Sequence, residues 1–110
     1  MSGNIEEMRG EIVSDWRDPI HPGEILGDEL KEIQMNALTL SARIGVPNNR
    51  IYQILRGRRS ITADTALRLG KFFGTGPEFW LTLQKAYELD VARQGLTDSL
   101  QAIEPYRVAA

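Results

Sequence analysis

Cysteine is absent from the 110 residues. Its absence excludes disulfides, thiolate metal sites and a cysteine nucleophile. A single histidine, His21, leaves no pair to build a two-histidine metal site within one subunit. No apolar run approaches the ~18 residues of a membrane span, so no membrane contact is expected. The opening stretch, MSGNIEEMRGEIVSDWRD, is acidic and polar, unlike a secretory signal, and a cytoplasmic location is the expectation. Hydrophobic residues make up 42% and charged residues 25%, the balance of an ordinary globular chain. A chain of this length forms one domain whose core needs neither metal nor disulfide.

Acids are also missing locally. Residues 43–59 hold five arginines and no acid, whereas the whole chain has a net charge of −2. The overall balance argues against a nucleic-acid partner, and the local distribution argues for one. Taken alone, the cluster is equally a solvated face charged by chance.

The periodicity predicts five helices and no strands, an all-α domain. His21-Pro22-Gly23-Glu24 starts the first, with Leu26, Leu30 and Ile33 on one face to about residue 34. Asn36 is a good cap for a second helix bearing Leu40 and Ile44, which Gly45 ends. Pro47 opens a third, in which Ile51, Ile54 and Leu55 are the apolar face and Gly57 the stop. Thr62 caps a fourth that buries Ala66, Leu69, Phe72 and Phe73 and ends at Gly74. Pro77 opens a fifth, with Phe79, Trp80, Leu83, Tyr87 and Val91 at helical spacing until about Gly95. The expected organisation is an acidic N-terminal arm (1–18), a helical domain (19–95) and a C-terminal tail (96–110).

Asn36 to Gly57 is the informative stretch. A short helix, a glycine turn and a second helix with a polar, arginine-bearing outer face is the helix-turn-helix pattern. Small Ser41 permits a close crossing, and Leu40, Ile44, Val46, Ile51 and Ile54 anchor the second helix from behind. A helical hairpin of purely structural role needs the same anchors, but not an acid-free outside. Asn48, Asn49, Arg50 and Gln53 lie early in that helix, and their side chains suit base edges: Asn and Gln adenine, Arg guanine. Asn48 or Asn49 is alternatively a cap. Arg56, Arg58 and Arg59 suit phosphates, which position without reading sequence. Arg43 is a further phosphate candidate, or else complements the end of its own helix. Tyr52 either meets a backbone oxygen or packs.

The runs HPGEILGDEL and LSARIGVPNNRIYQILRGRRSITADTALRLGKFFGTGPEFWLTLQKAYEL together closely resemble the HigA-type antitoxins, or virulence-associated protein I, of the Xre-like, lambda-repressor-like helix-turn-helix family. The resemblance covers roughly residues 20–95. Its distinctive stretches are His21–Glu24, Ile61–Leu69 and Pro77–Leu81. It implies a five-helix lambda-repressor-like domain and a dimeric antitoxin that binds double-stranded operator DNA, represses its own operon and neutralises a HigB-type ribonuclease toxin. One departure is Asn36-Ala37, where the family often has Ser/Thr-Gln and the Gln usually meets phosphate.

A solitary regulator of the same fold, with no toxin partner, fits the same residues. An enzyme does not. Glu24, Asp28 and Glu32 share a helix face, but nothing apolar surrounds them to raise a pKa, and a solvated face explains them. His21 reads as a capping or packing residue rather than a catalyst. No metal and no cofactor is expected. A homodimer is expected because one helix-turn-helix reads only one half-site. Trp80, Leu83, Tyr87, Ile103 and Tyr106 offer more apolar surface than a small core needs, and are the expected dimer surface. Residues 1–42 hold nine acids against three basic groups, a complement for a basic RNA-cleaving toxin. The arm, with Ile5, Met8, Ile12, Val13 and Trp16, and the first helix, with Asp28, Glu29 and Glu32, are the expected toxin surfaces.

Overall fold

The computed structural model describes residues 18–107, so the arm and its expected part in toxin binding lie outside the described residues except for Asp18. Five helices follow in order: α1 (Pro22–Glu32), α2 (Ala37–Ile44), α3 (Asn48–Leu55), α4 (Ala63–Phe73) and α5 (Pro77–Gln101). No strand occurs among the described residues. None of their helices is long and apolar enough to cross a membrane. The chain divides into two compact units, with Ile20–Tyr87 in one and Glu88 onward in the other.

The core of the first unit takes the apolar face of every helix. Leu26 and Leu30 come from α1, Leu40 and Ile44 from α2, Ile51 and Ile54 from α3, Ala66 and Leu69 from α4, and Trp80 from α5. Full burial of each aliphatic side chain stabilises the fold by about 1.5–3 kcal/mol. Two glycines let backbones approach closely. A Cβ on Gly23 would lie 1.9 Å from the Ile54 carbonyl oxygen, so α1 crosses α3 there. A Cβ on Gly70 would lie 2.3 Å from the Gly76 carbonyl carbon, where the chain turns from α4 into α5.

Helix ends follow local chemistry. His21 caps α1, its Nδ1 accepting from the Gly23 N–H at 2.9 Å. Asn36 caps α2, its Oδ1 accepting from the Thr39 N–H at 2.8 Å. Gly45 and Gly74 end α2 and α4 in the left-handed conformation that glycine adopts without Cβ strain. Two boundaries depart from the periodicity. α1 stops at Glu32 rather than near residue 34, because Gln34 takes a left-handed φ of 55° to swing the chain into α2. α5 continues past Gly95 to Gln101, since a lone exposed glycine costs a helix only about 1 kcal/mol and helix-forming neighbours offset it.

Candidate nucleic-acid interface

Ser41 begins the local build-up. It is buried, and its Oγ donates to the Ala37 carbonyl at 2.8 Å, so its hydroxyl is satisfied within its own helix. Gly45 and Val46 then both donate their N–H groups to the Ser41 carbonyl, at 2.9 and 3.0 Å, which closes the turn tightly. Ile51 and Ile54 are fully buried behind α3. The opposite side of α3 is left to solvent.

Each sequence-predicted side chain now has a position. Asn48 and Asn49 are exposed in the first turn of α3. Neither caps it: the N-cap is Pro47, which makes no side-chain cap bond. Gln53 follows one turn later, half-buried. Tyr52 is exposed, with the Arg56 guanidinium 5.9 Å from its ring centre. Arg58 and Arg59 are exposed in the loop beyond α3. That loop is fixed at both ends. Gly57, at φ 73°, donates to the Ile54 carbonyl and Arg58 to the Gln53 carbonyl, while the Ile61 N–H donates to the buried Gln84 Oε1 at 2.8 Å. Arg43 is exposed but lies over the Phe72 ring, 5.1 Å from its centre.

Arg50 is placed differently from its neighbours. Its side chain is 24% exposed, and its Nη1 donates to Asp64 Oδ1 of α4 at 2.8 Å. Its Nε is buried without an acceptor among the described residues. Arg68 donates from Nε to the same Asp64 oxygen at 2.8 Å, and from Nη1 to the carbonyls of Ile44 at 2.8 Å and Gly45 at 3.2 Å. Hydrogen bonds from Arg68, then from Arg50, hold the Asp64 carboxyl below its ordinary pKa. Asp64 and Arg68 are functional candidates that periodicity alone does not disclose. Their signal in the sequence is that Asp64 is the first acid after the arginine stretch, with Arg68 at i+4 on the same helix face.

The expected dimer residues separate. Trp80 is wholly buried in the core against Phe73 and Phe79, so it has no surface to offer a partner. That corrects its assignment: a large apolar ring at the α4–α5 junction fills the protomer's own interior first. Leu83 packs on the same core, and half-buried Tyr87 meets His21 edge-on at 4.8 Å. Ile103 and Tyr106 are 63% and 90% exposed.

The helix-turn-helix family profile matches residues 29–80, which take in the end of α1, all of α2, α3 and α4, and the first turn of α5. Virulence-associated protein I of Dichelobacter nodosus is 49% identical over 76 residues, 68% of this chain and 70% of that protein. The solved structure of an addiction module antidote protein of the HigA family from Coxiella burnetii superposes with a TM-score of 0.79. It is 51% identical and covers 82% of this chain and 100% of its own. The antitoxin HigA of Pseudomonas aeruginosa, solved with the higBA promoter, has a TM-score of 0.77 and 40% identity, covering 81% of this chain and 99% of its own. The chain therefore belongs to the helix-turn-helix family of HigA-type antitoxins and virulence-associated protein I.

Proposed function

We propose that this chain is the antitoxin of a toxin–antitoxin pair, binding operator DNA as a dimer to repress its own operon and neutralising a HigB-type ribonuclease toxin. The observation that carries the reading is the exposed, acid-free outer side of α3 and its loop in a chain similar along most of its length to an antitoxin solved with promoter DNA. Asn48, Asn49 and Gln53 are assigned to base edges. Arg56, Arg58, Arg59 and Tyr52 are assigned to phosphates, with Arg43 at the edge of the footprint. Arg50, which the sequence alone assigns to bases, is given a different role below.

Dimerisation is assigned to the later part of α5 and the tail. Leu89, Leu96 and Leu100 are exposed at positions i, i+7 and i+11, on one helical stripe, and Ile103 is exposed just beyond the helix end. Toxin binding is assigned to the acidic side of α1, where Asp28, Glu29 and Glu32 are exposed. A toxin that grips RNA carries positive charge, and an acidic surface complements it. A cytoplasmic location is assigned with this reading, since operator DNA and the toxin's RNA targets are both found there.

The test is to express the chain with the product of the small reading frame beside its gene. The proposal expects a stable copurifying complex and restored growth when the neighbour alone arrests it. A neighbour that is harmless and does not bind would leave a solitary transcriptional regulator of the same fold.

A further inference from the structure

Arg50, Asp64 and Arg68 link both arms of the helix-turn-helix to α4. Arg68 reaches the last carbonyl of α2 and the carbonyl of the turn glycine, while Asp64, bonded to Arg68, accepts from Arg50 in the first turn of α3. We infer that Asp64 and Arg68 are positioning residues that fix the angle of α3 against α2 and so set sequence discrimination, with Arg50 as their handle on α3 rather than a reader of bases. The inference rests on the DNA-binding reading above and extends it to residues off the recognition helix.

First, the apolar anchors Ile51 and Ile54 seat α3 on the core, but dispersion contacts are non-directional and tolerate small rotations. Hydrogen bonds to a planar guanidinium are directional and do not. Second, the carbonyls that Arg68 occupies belong to the C-terminal end of α2, whose last carbonyls lack helical partners and favour a cation. That contact pins the turn from the outside, while Ser41 closes it from within. Third, the 24% exposure of Arg50 is that of a side chain drawn back from the solvent face on which Asn48 and Asn49 stand. A side chain that reads base edges must reach beyond its helix into the groove.

A clamp and a reader predict opposite outcomes when the acid is neutralised. In Asp64→Asn the carboxylate charge is lost at nearly constant shape. If the residue is a clamp, α3 gains freedom and Asn49 and Gln53 lose register. Affinity for the operator falls, while affinity for scrambled DNA holds or rises because one negative charge has left the interface. If Asp64 merely restrains a base-reading Arg50, the operator complex tightens.

The experiment measures binding of full-length protein to duplexes carrying its own operator and a scrambled version, for wild type, Asp64→Asn, Arg68→Met and the double variant. Arg68→Lys keeps the charge and loses the fork. Each single change is expected to lower the operator-over-scrambled ratio by about ten-fold, the order of one base contact. The double variant should lose little more, because the two residues act as one device. A parallel fall on both duplexes, additive losses in the double variant, or tighter operator binding by Asp64→Asn would each overturn the clamp. A readout without DNA separates this inference from the reading beneath it. In the free protein, the backbone amide resonances of Gly45 and residues 48–53 should shift in both Asp64→Asn and Arg68→Met. Unmoved resonances would refute the clamp even where the wild type binds its operator. Wild-type protein that fails to prefer its operator, with shifted resonances, would instead refute the DNA-reading assignment and keep the clamp as a feature of the fold.

Discussion

Gln34 holds a left-handed φ of 55° at an exposed position between α1 and α2. The conformation costs an ordinary L-residue about 1–2 kcal/mol, and glycine largely escapes that cost. Gln34→Gly is therefore expected to leave the fold intact and raise stability by up to about 1 kcal/mol, read from the urea midpoint. His21 makes a second residue-scale prediction. Burial pushes its pKa below the ordinary 6.5, against a smaller upward pull from Glu24 and a backbone bond with Arg59. The folded state thus prefers the neutral ring, which accepts the Gly23 N–H. Its contribution is complete above pH 6.5 and is lost as pH falls through 6.5 toward the folded value, because the unfolded chain takes up the proton first. His21→Asn keeps a capping side chain and removes the titration, so thermal melts from pH 7.5 to 5 should flatten. An unchanged pH slope would show that another group carries it. At this scale the sequence announced capping and burial well and partners poorly. His21 and Asn36 cap as their neighbours in sequence suggest. Arg50 reads as a groove residue from its place in α3, and only the packing of α4, fourteen residues further on, turns it toward Asp64.

Elements were legible where an apolar period met a glycine or proline stop. α2 and α3 are bounded by Asn36, Gly45, Pro47 and Gly57, each with a local reason to break a helix. α5 was less legible, because exposed residues beyond Asp90 carry no burial pattern and Gly95 mimics a stop. The crossing of α1 over α3 was invisible in the sequence, since Gly23 reads as part of a helix start. Gly23→Ala is expected to push α1 off the Ile54 carbonyl, destabilise the protein by about 1–3 kcal/mol and lower the urea midpoint accordingly. On α3 itself, Gln53→Ala should lose about 1–3 kcal/mol on the operator and little on scrambled DNA. Equal losses on both duplexes would remove Gln53 from the reading set.

At the scale of the whole molecule, charge segregation carried the function more clearly than any total. A net charge of −2 conceals five arginines concentrated between residues 43 and 59. A sequence shows surplus apolar residues, but only packing shows that Trp80 spends its surface inside the protomer. Leu96→Asp with Leu100→Asp places two charges on the exposed stripe of α5 and is expected to yield monomers by sedimentation. Operator affinity should fall with it, since a monomer engages one half-site. A surviving dimer would move the interface elsewhere.

The central claim is that the face built on α3 and the loop to Arg59 binds the protein's own operator. It is tested most directly by titrating the purified protein against the DNA upstream of its gene and a scrambled duplex at several salt concentrations, with Arg58→Ala and Arg59→Ala alongside. The account predicts preferential, salt-sensitive operator binding by the wild type. It also predicts, for each arginine removed, similar weakening on both duplexes and a salt slope shallower by about one. Equal affinity for the two duplexes, or a salt slope untouched by either substitution, would contradict it.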